Sequence, residues 1–136
     1  MIIASSALLA VLLNEPERGE FVAAMLDAPC RICAAALVEA GIVADRRSPA
    51  LGRGLDRLIE KFDIEIVPLD ARHAAMARRA HLRYGRGSGS PARLNLGDCL
   101  TYALAADTGD ELLFKGDDFL HTDLLLALTP PDPESI

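Results

Sequence analysis

Aromatic side chains are scarce in this chain, at 4% of its residues, and long apolar runs are missing. The shortage of aromatics argues against extended base stacking of the kind that holds single-stranded nucleic acid. The apolar stretch 7–13 falls far short of the roughly 20 residues a membrane span needs. No basic region precedes it, so a signal peptide is not expected either. Positive charge is also short: the net charge is -6. That excludes a protein that coats nucleic acid by bulk electrostatics, because such binding needs clustered Lys and Arg to displace counterions. Any contact with nucleic acid must be local. There are three cysteines, an odd number, which does not suit a secreted disulfide framework and points to the reduced cytoplasm.

What remains is the composition of one globular domain. The chain has 136 residues, 51% hydrophobic and 25% charged, enough for one core and short for two. Residues 1–3 read as a very short buried strand, and Ser5 and Ser6 can cap an apolar helix over 7–13. Pro16 opens a second helix with an apolar stripe of Phe21, Val22, Met25 and Leu26. Residues 31–33 are a second strand, and 34–47 a third helix with Leu37, Val38, Ile42 and Val43 on its apolar face. A fourth helix over 50–62 carries Leu51, Leu55, Leu58 and Ile59 at helical spacing. The β-branched run 64–67 is a third strand. Asp70 caps a helix over 71–84, and the Gly-rich loop 85–91 is expected to be mobile. A short helix led by Asp98 and stopped by Gly109, a strand over 112–114, an acidic turn and an edge strand over 124–128 complete the domain. Strands alternating with helices imply a mostly parallel sheet covered on both faces, an α/β fold built as a three-layer α/β/α sandwich. Residues 1–129 form the domain and 130–136 a loose tail.

This order of elements brings Asp98 and the pair Asp117 and Asp118 to one sheet edge, outside the carboxyl ends of the strands, where ligands bind in such folds. Glu39 and the end of the first strand add to the same edge. Neighbouring carboxylates repel unless a cation or proton lies between them. A hard divalent cation resolves this, and Mg²⁺ suits a site of few carboxylates and several waters. Such a metal can activate water and stabilise displacement at phosphorus. Each residue also has a plainer reading. Asn95 to Asp98 has the spacing of a capping box, and the aspartate pair could be a solvated turn. Cys30 and Cys33 have Cys-x-x-Cys spacing, but their strand setting favours buried apolar residues over a redox pair.

The residues from Met1 to Ala10, Glu39 within an apolar helix, Leu94 to Cys99 and Leu112 to Phe119 together resemble the PIN-domain ribonucleases. Among these the resemblance is to the VapC toxins of VapBC toxin-antitoxin pairs, and it covers essentially the whole chain. It implies a Mg²⁺-dependent endoribonuclease, with Mn²⁺ as an alternative metal. The implied ligands are Asp98, Glu39 and one of Asp117 and Asp118, with Asp117 favoured as nearer the strand end. Ser6 matches a hydroxyl that orients the site. The pattern places an aspartate at position 4, where this chain has Ala4, and a methyl group binds no cation. A catalytically crippled form is therefore expected, whether by an engineered Asp-to-Ala change or by natural variation. Arg83, Arg86, Arg93 and Lys115 stand where they could hold RNA phosphates, with transfer or ribosomal RNA as the substrate class. The resemblance also implies a VapB-type antitoxin and a homodimer. The rival reading is a PIN-like module that binds RNA or antitoxin without cutting.

Overall fold

Ile2 and Ile3 have no exposed surface, and they form the strand on which the sheet is built. The structure, a computed structural model, describes residues 1–128; the tail expected over 130–136 lies outside the described residues. The elements run β1 (Ile2–Ile3), α1 (Ser5–Leu12), α2 (Arg18–Asp27), β2 (Arg31–Cys33), α3 (Ala34–Arg47), α4 (Pro49–Lys61), β3 (Glu65–Val67), α5 (Ala71–Tyr84), α6 (Leu96–Thr108) and β4 (Leu112–Leu113). A single 3-10 turn, Asp118–His121, follows. The strand order is β3-β2-β1-β4 and every pairing is parallel. This is the expected α/β sandwich, a four-stranded parallel sheet flanked by six α-helices.

The chain leaves β1 toward β2 and β3 on one side and returns to pair β4 on the other. The crevice between β1 and β4 is therefore the point where the winding reverses, and ligands of open α/β sheets bind at such points. Ala4 follows β1 there, with its amide donating to Leu113 O at 2.9 Å.

Small residues decide how the helices approach the sheet and one another. In α3 the buried residues are Ala36, Ala40 and Ala44, spaced four apart on one face. The larger residues expected to face the core are largely outside: Val38 is 60% exposed and Ile42 52%. Leu26 of α2 is likewise exposed, while Phe21 and Met25 are buried. Alanine lets helix backbones come closer than valine or isoleucine allows, and the inward face of α3 is made of its smallest side chains.

Helix α6 contributes the most buried residues among the described helices. Cys99, Thr101, Tyr102, Ala103, Leu104 and Ala105 are all buried in it. Gly109 ends it in the left-handed conformation (φ 70°), its amide donating to Ala105 O, a position that suits glycine because a Cβ is penalised there. Helix α5 docks on α6 partly through His73, which is buried with Nε2 3.0 Å from Asp107 Oδ2 and Nδ1 3.4 Å from Asp70 Oδ1.

Two expectations change. Residues 124–128 contribute one parallel bridge, Leu126 to Leu112, rather than a strand. The Gly-rich loop is stitched to itself: Ser88 Oγ donates to Gly85 O at 2.6 Å, the Ser90 and Ala92 amides donate to the hydroxyls two residues before them, and Arg86 N donates to Leu94 O. Its serines supply the hydrogen bonds that a glycine-rich backbone lacks from secondary structure.

Candidate active site

Asp98 is half-buried in the first turn of α6, and it forms the capping box its spacing suggested. Its Oδ2 accepts from Asn95 N at 3.1 Å while its own amide donates to Asn95 Oδ1 at 2.8 Å, closing a capping box. Only Oδ2 is engaged in that box, which leaves Oδ1 for another partner. Burial raises the Asp98 carboxyl above the usual aspartate range. The Asn95 amide opposes this, the Asp118 charge adds to it, and the Arg86 charge opposes it again.

Glu39 reaches the same place from α3. It is exposed, but its carboxylate lies directly against Gly97: a Cβ built on that glycine would overlap the carboxylate. Loss of solvent raises the Glu39 carboxyl, and the Asp98 charge raises it further. Gly97 is thus a site residue that sequence reading missed. A poor helix former in the first turn of α6, directly before the acidic residue, was its only trace.

Of the two adjacent aspartates it is Asp118, in the 3-10 turn, whose charge acts on Asp98. Asp117, the one favoured from its place near the strand end, stands one residue before the turn and carries no side-chain cap bond to it. Both are exposed. The turn is held from two sides. Ser6 Oγ accepts from Lys115 N at 3.0 Å, which ties the chain after β4 to the start of α1. Beyond the turn, Tyr102 OH donates to Asp123 Oδ1 at 2.6 Å.

Ala4 is buried and occupies the N-cap of α1 in extended conformation (φ -75°, ψ 155°), with no side-chain cap bond. Among the described residues, no group of three or more His, Cys, Asp and Glu stands close enough to hold a metal ion. The donors fit a hard cation in kind, because they are carboxylates near enough for the Asp98 charge to raise Glu39 and the Asp118 charge to raise Asp98, and they offer only oxygen. They are short in number.

The basic residues separate into two groups. Lys115 is ion-paired within the chain: its ammonium sits 2.5 Å from Glu15 Oε2 and 3.3 Å from Glu17 Oε2, on the connection between α1 and α2. Arg83 pairs loosely with Asp123 at 3.5 Å and covers the Tyr84 ring. Arg86 and Arg93 are exposed, and Arg86 is the one whose charge reaches Asp98. Cys30 and Cys33 are buried and unpaired. Burial pushes the Cys30 thiol up, the opposite of what a redox cysteine needs.

Two outcomes follow from the Glu39 and Asp98 pair. Their carboxyls titrate higher folded than unfolded, so the pair favours folding fully only below the unfolded carboxyl range and withdraws that support as pH rises through the folded titration. Glu39→Gln is therefore expected to raise the melting temperature at neutral pH and to leave it nearly unchanged at about pH 3; equal shifts at both pH values would remove the repulsion argument. In Gly97→Ala the added methyl meets the movable end of Glu39. The fold should hold, with helix propensity favouring alanine by up to about 1 kcal/mol, while Mn²⁺ affinity measured by calorimetry falls. A variant that melts early and binds Mn²⁺ normally would contradict this geometry.

The profile of the PIN domain family matches residues 1–125. Ribonuclease VapC28 of Mycobacterium tuberculosis is 45% identical over 130 residues, covering 94% of this chain and 98% of that protein. Ribonuclease VapC42 of the same organism is 44% identical over 131 residues, covering 95% and 100%. The chain belongs to the VapC ribonucleases of the PIN-domain family. The crystal structure of M. tuberculosis VapC20, described as a sarcin-ricin loop cleaving toxin, superposes with a TM-score of 0.76 over 95% of this chain and 98% of that one. At 13% identity that likeness speaks for the fold alone.

Proposed function

We propose that this chain is the toxin of a VapBC-type pair, a metal-dependent endoribonuclease scaffold whose acidic edge lacks its first carboxylate and which therefore cuts RNA weakly or not at all. The observation that carries this reading is Ala4. It caps α1 at the carboxyl end of the central strand without a side-chain oxygen, beside the Ser6 to Lys115 bond that fixes the acidic turn. Glu39, Asp98 and Asp118 would hold Mg²⁺ or Mn²⁺, with Asp117 as the alternative to Asp118. A cation held there supplies charge neutralisation at phosphorus and a lowered water pKa. The chain's own part is to bring these carboxylates to one edge: the capping box orients Asp98, the bare Cα of Gly97 admits Glu39, and Ser6 with Tyr102 brackets the turn of Asp118. The products expected of the intact site carry a 5′-phosphate and a 3′-hydroxyl.

A VapB-type antitoxin is the proposed partner, alongside a second copy of the chain. Leu82 and Leu96, 79% and 73% exposed, border an apolar groove between α5 and α6 and favour a protein surface. No described helix is long and apolar enough to cross a membrane, in keeping with the proposed cytoplasmic setting. The three remaining carboxylates also support the rival reading, a binding module without cleavage.

The test compares the chain with Ala4→Asp on a panel of transfer and ribosomal RNAs in Mg²⁺ and in Mn²⁺, each with an EDTA control. Cleavage by the aspartate form alone, abolished by EDTA, supports the disabled nuclease. Metal-dependent cleavage by neither form, with RNA binding by both, leaves the binding module.

A further inference from the structure

Six of the fourteen basic residues and none of the twenty acidic ones lie between residues 71 and 97. All six are arginines, in a chain whose net charge is -6. The segment is α5, the stitched loop and the start of α6. Arg72, Arg79 and Arg83 recur at seven- and four-residue steps, which places them along one face of α5 over about 16 Å, and Arg86 continues the row past the helix end. Arg72 is committed to Asp107 at 3.0 Å. Arg79 and Arg86 are exposed and make no ion pair within 4 Å among the described residues. Arg83 keeps 65% of its side chain exposed despite its pairing. Arg79 and Arg83 line a groove of about 320 Å³ over Tyr84 and Tyr102. The row ends at the acidic edge, because Arg86 N is bonded to Leu94 O, directly before the Asn95 cap of α6.

A helix C-terminus attracts cations within its last turn. That accounts for Arg83, but not for Arg79 a turn earlier or for Arg86 beyond the end. The concentration of unpaired arginines on a strongly acidic chain calls for an outside polyanion, and the direction of the row says where that polyanion leads.

We propose that Arg79, Arg83 and Arg86 form a track for the phosphate backbone of RNA that runs along α5 and delivers the strand to the Glu39, Asp98 and Asp118 edge. The inference rests on the ribonuclease reading and extends it from the site of cleavage to the path of the substrate. Phosphate contacts fix register and orientation without reading sequence. RNA choice would then come from the shape that lets one strand lie along α5 while its scissile bond meets the carboxylates.

The test is fluorescence anisotropy of a labelled RNA hairpin with the full chain in EDTA, repeated across a salt series. Arg79→Gln, Arg86→Gln and their double are compared with the parent and with Arg53→Gln/Arg57→Gln, a charge-matched pair of exposed arginines on α4. Melting temperatures check each fold. The double is expected to bind several-fold more weakly, with the slope of log affinity against log salt reduced by about 0.7 to 0.9 for each arginine removed. Arg79→Lys should restore the Arg79 share of the slope, and the α4 pair should match the parent. A double with parental affinity and slope, or an α4 pair that loses as much, overturns the track. If Ala4→Asp cuts RNA and the α5 double cuts and binds like the parent in that background, the track fails and the ribonuclease stands. If no form cuts or binds RNA, the ribonuclease reading falls and takes the track with it.

Discussion

Ala4→Asp is expected to increase metal-dependent RNA cleavage by at least about 10- to 100-fold, the loss associated with a missing partner even beyond the direct ligands. The same change acts on stability through two opposed terms. Ala4 is the N-cap of α1 and leaves the first amides of that helix without a side-chain acceptor. Aspartate is among the preferred residues there, worth roughly 0.5 to 2 kcal/mol over alanine. It also adds a negative charge to an edge where the Asp98 charge raises the Glu39 carboxyl and the Asp118 charge raises that of Asp98. Without a cation the two terms offset, and the melting temperature in EDTA should change little. With Mg²⁺ or Mn²⁺ the repulsion is relieved and the aspartate form should melt distinctly higher than the parent, because binding to the folded state alone stabilises it by mass action. Paired melting curves with and without metal, run beside the cleavage assay, separate these terms. Identical cleavage by both chains would show that position 4 is not the missing ligand, and cleavage that survives EDTA would remove the metal from the mechanism.

Phe119→Ala should be the most damaging single truncation near the site. Phe119 is 3% exposed although it lies in the turn that carries exposed Asp118. Its ring meets Phe114 edge-on at 5.3 Å between centroids, an arrangement that contributes beyond area burial alone. Deleting such a ring costs about 3 to 5 kcal/mol, or roughly 10 to 20 °C in melting temperature for a chain of this size. Phe119→Leu keeps much of the volume and should lose far less stability. It should still loosen the aim of Asp118, so that Mn²⁺ affinity falls more than stability does. A fall of only a few degrees for Phe119→Ala would mean that the turn is held by its backbone bonds and by Tyr102, without help from the core.

Four strands and several helix ends were legible because their signals are local: Asp70 caps α5 as expected and Gly109 stops α6, whereas Ser5 and Ser6, expected to cap α1, lie within it behind the N-cap Ala4. The buried face of α3 was not legible, since Ala36, Ala40 and Ala44 give no contrast in hydropathy beside Val38 and Ile42. What buries them is the close approach of neighbouring helices, which the α3 sequence alone does not contain. Asp117 and Asp118 could not be separated by spacing, because they differ only in where one residue of turn aims the side chain. Lys115 looked available from its place beside the acidic turn. Its partners, Glu15 and Glu17, come from about a hundred residues earlier. The serines of the 85–91 loop were read for composition and not for the bonds their hydroxyls could make.

The bond between Ser6 Oγ and Lys115 N joins residues 109 positions apart, and this gives the molecule an order of assembly during translation. At 5 to 20 residues per second, about 5 to 20 s separate the synthesis of the two partners. Through that interval β1 has no β4 beside it, and the carboxylates cannot converge. Helix α5 leaves the ribosome before β4, so the nascent chain carries its arginine row before it carries an acidic edge, and the proposed track would exist before the site it serves.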